Sequence, residues 1–133
     1  MAQYQHLPIY SATFRLLKEF YIRVPKIDKQ YKYTLGASLL ASAMEAVRLI
    51  VKANSTPVEH RSAVLSELVW KIEEITIMLR VAEELKQFAS PRQYLYLVEQ
   101  VVDCARQAEG WRTSCSPKKT APTQNKTTIK TLF

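Results

Sequence analysis

The chain has 133 residues, enough for one domain with its own core but not for two. It contains only two glycines, Gly36 and Gly110, and so few argue against an all-β protein, whose tight turns need them. The formal net charge is +7, which is typical of proteins that meet an anionic polymer or surface, although a merely soluble basic protein can carry it too.

The first predicted helix runs from about Pro8 to Val24. Its apolar residues recur at intervals of four and three, which predicts one stripe along the helix, formed by Tyr10, Phe14, Leu17, Tyr21 and Val24. Pro25 ends or kinks this helix because the residue before a proline avoids the helical conformation.

The next stretch, residues 24–36, reads VPKIDKQYKYTLG and is called the connector below. It is basic: Lys26, Lys29 and Lys32, with Arg23 directly before them, face a single acid, Asp28. Tyr31 and Tyr33 lie among these charges. The two tyrosines either stack on unpaired bases or pack on the end of the helical core.

The second predicted helix runs from about Thr34 to Ala53 and is rich in small residues. Gly36 within it costs roughly 1 kcal/mol relative to alanine, so a close helix contact is the expected gain. The third helix opens on a capping box, with Thr56 as the cap and Glu59 reaching back, and continues to about Phe88.

The third helix carries two apolar stripes. One keeps a three-four rhythm through Leu65, Leu68, Ile72, Ile75, Leu79 and Ala82 and predicts the core face. The other consists of Trp70, Ile77 and Val81 and is called the α3 stripe below. Such a patch on a monomer would be a liability, so it predicts an oligomer interface, unless a wide stripe is buried within one bundle.

The fourth helix is predicted to start at Ser90 as the cap, with Pro91 in the first turn and Gln93 as the reaching partner, and to end at Gly110. Residues 112–133 are rich in threonine, lysine and proline and contain no acid, which predicts a disordered basic tail. The predicted architecture is all-α: an antiparallel four-helix bundle over residues 1–111, followed by the tail.

The charge is polarised along the chain. Residues 1–35 carry a balance of +4 and residues 59–84 a balance of −3. We therefore expect nucleic-acid contacts from cations of the first helix, the connector and the tail, namely Lys18, Arg23, Lys26, Lys29, Lys32, Lys118 and Lys119, with Tyr31 beside them. Arg80 and Arg106 either join this set or pair with a glutamate inside an interface. The alternative for the lysines is a solvated surface.

Other functional classes find no support in the sequence. No glycine-rich phosphate loop, nucleophile elbow or paired metal-ligand motif is present, so no enzymatic activity, metal site or cofactor is predicted. Cys104 and Cys115 are spaced too widely for a zinc site and fit a reducing cytoplasm. We expect no signal peptide and no membrane span, because no basic segment precedes an apolar run and no 18-residue stretch is uninterruptedly apolar.

The order of several short motifs resembles a known family over residues 8–113. They are Pro25-Lys26 before Tyr33-Thr34-Leu35-Gly36, then Ala53-Asn54, Leu79-Arg80, Ser90 to Tyr94, and Arg106 with Gly110-Trp111. This order is similar to that of the small four-helix-bundle proteins that include the accessory variability determinants of diversity-generating retroelements. The same family includes proteins encoded by intervening sequences of bacterial 23S rRNA genes.

The resemblance implies a non-enzymatic bundle that assembles into a homopentamer, a ring of five copies. It implies binding to the reverse transcriptase and the template-repeat RNA of the retroelement, whose error-prone cDNA diversifies a target gene by mutagenic retrohoming. Two alternatives stay open: the rRNA intervening-sequence branch of the family, with an undefined role, and a structural adaptor that binds a protein through the α3 stripe. A reverse transcriptase gene and paired repeats beside this gene would favour the retroelement branch.

Overall fold

A computed structural model describes residues 3–115. Four helices make up nearly all of this part of the chain: α1 (Pro8–Arg23), α2 (Lys29–Ser55), α3 (Val58–Glu84) and α4 (Pro91–Cys115). The short links between consecutive helices make neighbours run antiparallel, and α1 also packs on α4, which closes the bundle. The prediction of an all-α antiparallel four-helix bundle is confirmed.

The core is formed by one face of each helix. Leu16 and Phe20 of α1, Ile50 of α2, Leu68 of α3 and Leu97 of α4 are almost completely buried in it. All six residues of the stripe predicted to face the core from α3 are buried. Summed over such side chains, burial of apolar area is the main force that holds the helices together.

The face by which α1 joins the core differs from the predicted one. Phe14 and Tyr21 of the predicted stripe are exposed, whereas Ile9, Thr13 and Leu16 point inward. The hydroxyl of Thr13 is buried but keeps a hydrogen-bond partner, because it donates to the sulfur of Cys104 on α4 at 3.5 Å. Phe14 and Tyr21 therefore lie on the outside of the bundle, whereas Phe20 lies in the core.

The start of α2 is irregular and lies earlier than predicted. The helix begins at Lys29 and widens into one π-helical turn, Lys32–Gly36, before it continues as Ala37–Ser55. Gly36 is buried there, and a Cβ atom built on it would lie 2.8 Å from Cγ1 of Val24. The expected close contact at Gly36 is confirmed, and its partner is the turn Val24–Lys26 that ends α1.

Length and composition alone would allow α2 to cross a membrane. In the bundle, however, its residues Leu39, Ala43, Ala46 and Ile50 are buried against the other helices. A core helix of this kind passes the same test without being a membrane span.

The two predicted helix caps have different outcomes. The hydroxyl oxygen of Ser90 accepts a hydrogen bond from the Gln93 amide at 3.2 Å, and the Gln93 side chain accepts one from the Ala89 amide at 3.3 Å. The cap at Ser90 is confirmed, with the reaching bond one residue earlier than in a standard box. The cap at Thr56 is wrong: its hydroxyl donates back to the Lys52 carbonyl at 2.6 Å, because Thr56 ends α2 rather than starting α3.

We therefore expect Ser90→Ala to lower the free energy of unfolding by about 1 kcal/mol, since an orphan amide of the first turn of α4 loses its partner. Thr56→Ala should change it by less than about 0.5 kcal/mol, because water can replace an exposed bond to a helix carbonyl. Urea unfolding of both variants checks this difference, and an equal loss in the two would contradict it.

The ends of α3 and α4 also depart from the predictions. The helix predicted to reach Phe88 ends at Glu84, and the helix predicted to end at Gly110 continues to Cys115. Residues 112–115 thus belong to α4 and not to a tail. Residues 116–133, with Lys118 and Lys119, lie outside the described residues.

Candidate nucleic-acid interface

The connector and the loop between α3 and α4 form one surface at one end of the bundle, called the connector end below. The Asp28 amide donates to Oε1 of Gln87 at 2.8 Å, and Nε2 of Gln87 donates to Oδ2 of Asp28 at 3.1 Å. Gln87 reaches this position because Lys86, two residues after the end of α3, is left-handed (φ 57°) and the chain turns back there. These bonds fix the two segments relative to each other.

Five cations belong to the segments that meet at the connector end. Lys26 and Lys29 are exposed and Lys32 is half-buried, as a set of predicted nucleic-acid contacts requires. Two further exposed cations, Lys86 and Arg92, lie on the adjoining loop and the first turn of α4.

Sequence reasoning missed these last two because they lie some sixty residues away along the chain. None of the five takes part in an ion pair among residues 3–115. Asp28, Glu83 and Glu84 at the same end reduce the positive charge without cancelling it.

Arg23 has a different environment from the lysines. Its guanidinium pairs with Glu19 one turn earlier on α1, and only 21% of the side chain is exposed. The ring of Tyr96 on α4 lies 5.8 Å from the guanidinium, and its hydroxyl donates to the second oxygen of Glu19 at 3.2 Å. Arg23 therefore joins α1 to α4, and a phosphate would have to compete with Glu19 for it.

The two connector tyrosines also differ. Tyr31 is half-buried and packs against the core, as the structural alternative for it described. Tyr33 is 75% exposed in the π-helical turn and is the one available to a base.

The remaining predicted contacts do not all gather at the connector end. Lys18 is exposed on α1, where its ammonium lies 5.7 Å from the centre of the Phe14 ring. Arg80 and Arg106 are exposed on α3 and α4, and neither pairs with a glutamate within the described part of the chain. The predicted nucleic-acid contacts are thus divided between the connector end and single cations on the sides of α1, α3 and α4.

The tail was expected to extend this basic surface, but it starts at the opposite end of the bundle. There, Trp111 of α4 lies beside the guanidinium of Arg61 at 5.9 Å, and Arg112 contacts the Ser66 hydroxyl of α3 at 3.3 Å. Arg61 also donates to the Thr56 carbonyl at the α2–α3 link. The last described residue, Cys115, follows at this far end.

The α3 stripe lies on the surface. Trp70 is 64% exposed, and Ile77 and Val81 are exposed as well, so the interpretation that one bundle buries them is wrong. At 100° per residue, the stripe is flanked by Glu67 and Glu74 on one side and by Glu73 and Glu84 on the other. This acidic border repels phosphates and suits a protein surface.

No group of three or more His, Cys, Asp or Glu side chains among residues 3–115 is arranged to hold a metal ion. Cys104 is buried and Cys115 half-buried, and both are reduced. Burial raises the pKa of the Cys104 thiol, which keeps it protonated and makes it a packing residue.

The described residues thus offer three surfaces for binding: the cationic connector end, the α3 stripe with its acidic border, and the exposed Phe14 and Tyr21 on α1. Comparison of the chain with protein-family models, curated proteins and solved structures gave no match.

Proposed function

We propose that the protein is a non-enzymatic accessory subunit of a diversity-generating retroelement. In this role it binds the template-repeat RNA and the reverse transcriptase, and it acts as a ring of copies during cDNA synthesis in mutagenic retrohoming. The family resemblance of residues 8–113 supports a role in a diversity-generating retroelement. The surface of the bundle suggests how the protein contacts its partners.

The observation that carries the proposal is the connector end. Lys26 lies in the link between α1 and α2, Lys29 begins α2, and Lys86 lies in the link between α3 and α4. The hydrogen bonds between Asp28 and Gln87 hold the two links together. Cations without carboxylate partners release counterions when they bind phosphates, which is the main source of affinity for RNA. Tyr33 adds an exposed ring among them.

The α3 stripe supports a second candidate, a protein-binding adaptor. An apolar stripe with an acidic border does not suit RNA, because its carboxylates repel the phosphates. It suits contact with a second copy of the chain or with a basic face of another protein. In the proposed ring this stripe is the contact between copies. In the adaptor it would be the sole functional surface, and the connector end would be merely solvated.

A salt titration of RNA affinity separates the two candidates. For the wild type, log affinity should fall linearly with log salt concentration, with a slope of about −0.7 per phosphate contact on a single strand. Lys26→Ala with Lys29→Ala should flatten the slope by about 1.4 per copy and weaken all sequences alike. Deletion of residues 116–133 should weaken binding more than either single change, since it removes four lysines from each copy.

Lys71→Ala is the matched control, because Lys71 lies on α3 and pairs with Glu74 at 2.8 Å. It should leave the slope unchanged. An affinity for RNA that does not depend on salt, or that none of the three changes affects, would reject the proposal in favour of the adaptor.

A further inference from the structure

The outward face of α1 carries a row of aromatic side chains. Tyr10, Phe14 and Tyr21 lie four and seven residues apart, so they share one side of the helix. The rings of Tyr10 and Phe14 are stacked, with centroids 5.7 Å apart and planes inclined by 16°. Tyr4, just before the helix, continues the row with its centroid 5.1 Å from that of Tyr10. We call Tyr4, Tyr10, Phe14 and Tyr21 the aromatic row.

Cations lie along the same face. Lys18 lies between Phe14 and Tyr21, and its ammonium is 5.7 Å from the Phe14 centroid. Tyr4, Tyr10 and Phe14 of the row form one wall of a groove of about 570 Å³, whose other wall is α2 with Arg48 and Lys52; Tyr21 lies beyond the groove. Two carboxylates also line the groove: Glu45, which pairs with Arg48, and Glu67 of α3.

Two of these rings, those of Phe14 and Tyr21, lie outside the buried core. Phe14 is 40% and Tyr21 61% exposed, while the core face of α1 is complete without them. Each leaves an aromatic surface in contact with water at a hydrophobic cost that a bound planar group would remove.

We infer that the aromatic row stacks unpaired bases of single-stranded RNA, while Lys18, Arg48 and Lys52 contact the phosphates. Stacking on aromatic rings with cations beside them is the common way in which proteins hold single strands. The inference rests on the proposed function and extends its RNA surface from the connector end along α1.

The direction of the row favours RNA over a peptide. Tyr21 lies two residues before Arg23 and three before the connector, so a strand on the row leads to Lys26 and Lys29. A peptide held by this groove would instead need apolar anchors opposite Met44 and Leu17, and Lys52 would remain without an anionic partner.

The test compares an unstructured 15-nucleotide RNA with the same strand annealed to its complement, both labelled for fluorescence anisotropy. Phe14→Leu and Tyr21→Leu keep an apolar side chain but remove the ring. Each should weaken binding of the single strand about fivefold or more, as loss of one stacked base does. The salt slope and the affinity for the duplex should stay unchanged, because stacking adds no ionic contact and duplex bases are already paired.

Val102→Ala on α4 is the control, since Val102 has nearly the same exposure as Phe14 (41% against 40%) but is not aromatic. It should leave both affinities unchanged. As a second measurement, a 4-thiouridine strand should cross-link to peptides that contain the aromatic row in the wild-type protein.

Two results would overturn the inference: single-strand affinity unchanged in the Phe14→Leu/Tyr21→Leu double variant, or an equal loss on the single strand and the duplex. The proposed function would survive either result if Lys26→Ala with Lys29→Ala still reduced the salt slope. If these lysine changes also had no effect, both would fail together.

Discussion

Replacing Trp70 with glutamate is expected to convert the proposed ring of copies into monomers. Trp70 is the largest residue of the α3 stripe, where it is 64% exposed on the single bundle and would be covered by a second copy. A glutamate there would be buried in the contact without a partner and close to Glu67 and Glu74, which costs several kcal/mol. Light scattering of both proteins at micromolar concentration measures the change in mass.

Val58→Glu is the matched control for this change. Val58 is 55% exposed on the same helix, but it lies about 120° away from Trp70 around the axis. Its replacement adds the same charge and should leave the assembled mass as it is. A monomer mass for the wild type would contradict the assembly itself, and loss of assembly with Val58→Glu alone would move the contact to another face of α3.

The two glycines are expected to respond to alanine in opposite directions. At Gly36 the new Cβ would lie 2.8 Å from Cγ1 of Val24, a short and buried side chain that cannot turn away. Overpacking of this kind costs about 1–3 kcal/mol, which exceeds the gain of up to about 1 kcal/mol in helix propensity. At Gly110 nothing lies within 4 Å, so only the gain in propensity applies.

Thermal unfolding should therefore show a melting temperature lowered by several degrees for Gly36→Ala, and raised by a few degrees for Gly110→Ala. Combining Gly36→Ala with Val24→Ala should cost less than the sum of the two single changes, because the second removes the clashing atom. A stabilised Gly36→Ala variant would mean that the π-helical turn relaxes to make room for the methyl group.

The features that could be predicted from the sequence are those decided within a few residues. The cap at Ser90 depends on Gln93, three residues later, and both hydrogen bonds form close to where the pattern places them. The same kind of pattern wrongly predicted a cap at Thr56. The preceding helix, α2, extends to Ser55, and the Thr56 hydroxyl therefore bonds to the last turn of α2. A local motif cannot reveal which of two adjacent helices will use it.

Features that depend on distant parts of the chain were missed. The spacing of Phe14 and Tyr21 suits a core face, but the alternative face with Leu16 and Phe20 fills the bundle better, so the aromatic residues remain outside. Lys86 joins the connector end only through the bonds between Gln87 and Asp28. The position of α4 also determines at which end of the bundle the tail begins. The charge of the tail gives no information about that end.

The two basic regions of the chain leave from opposite poles of the bundle. Helix α4 has 25 residues and so separates the connector end from Cys115 by about 37 Å. A stacked strand advances about 3.4 Å per nucleotide, so a footprint that includes both poles of one copy needs at least about eleven nucleotides. A stacked oligonucleotide shorter than this spans less than the length of α4, so affinity should rise in two steps as the RNA is lengthened through this value.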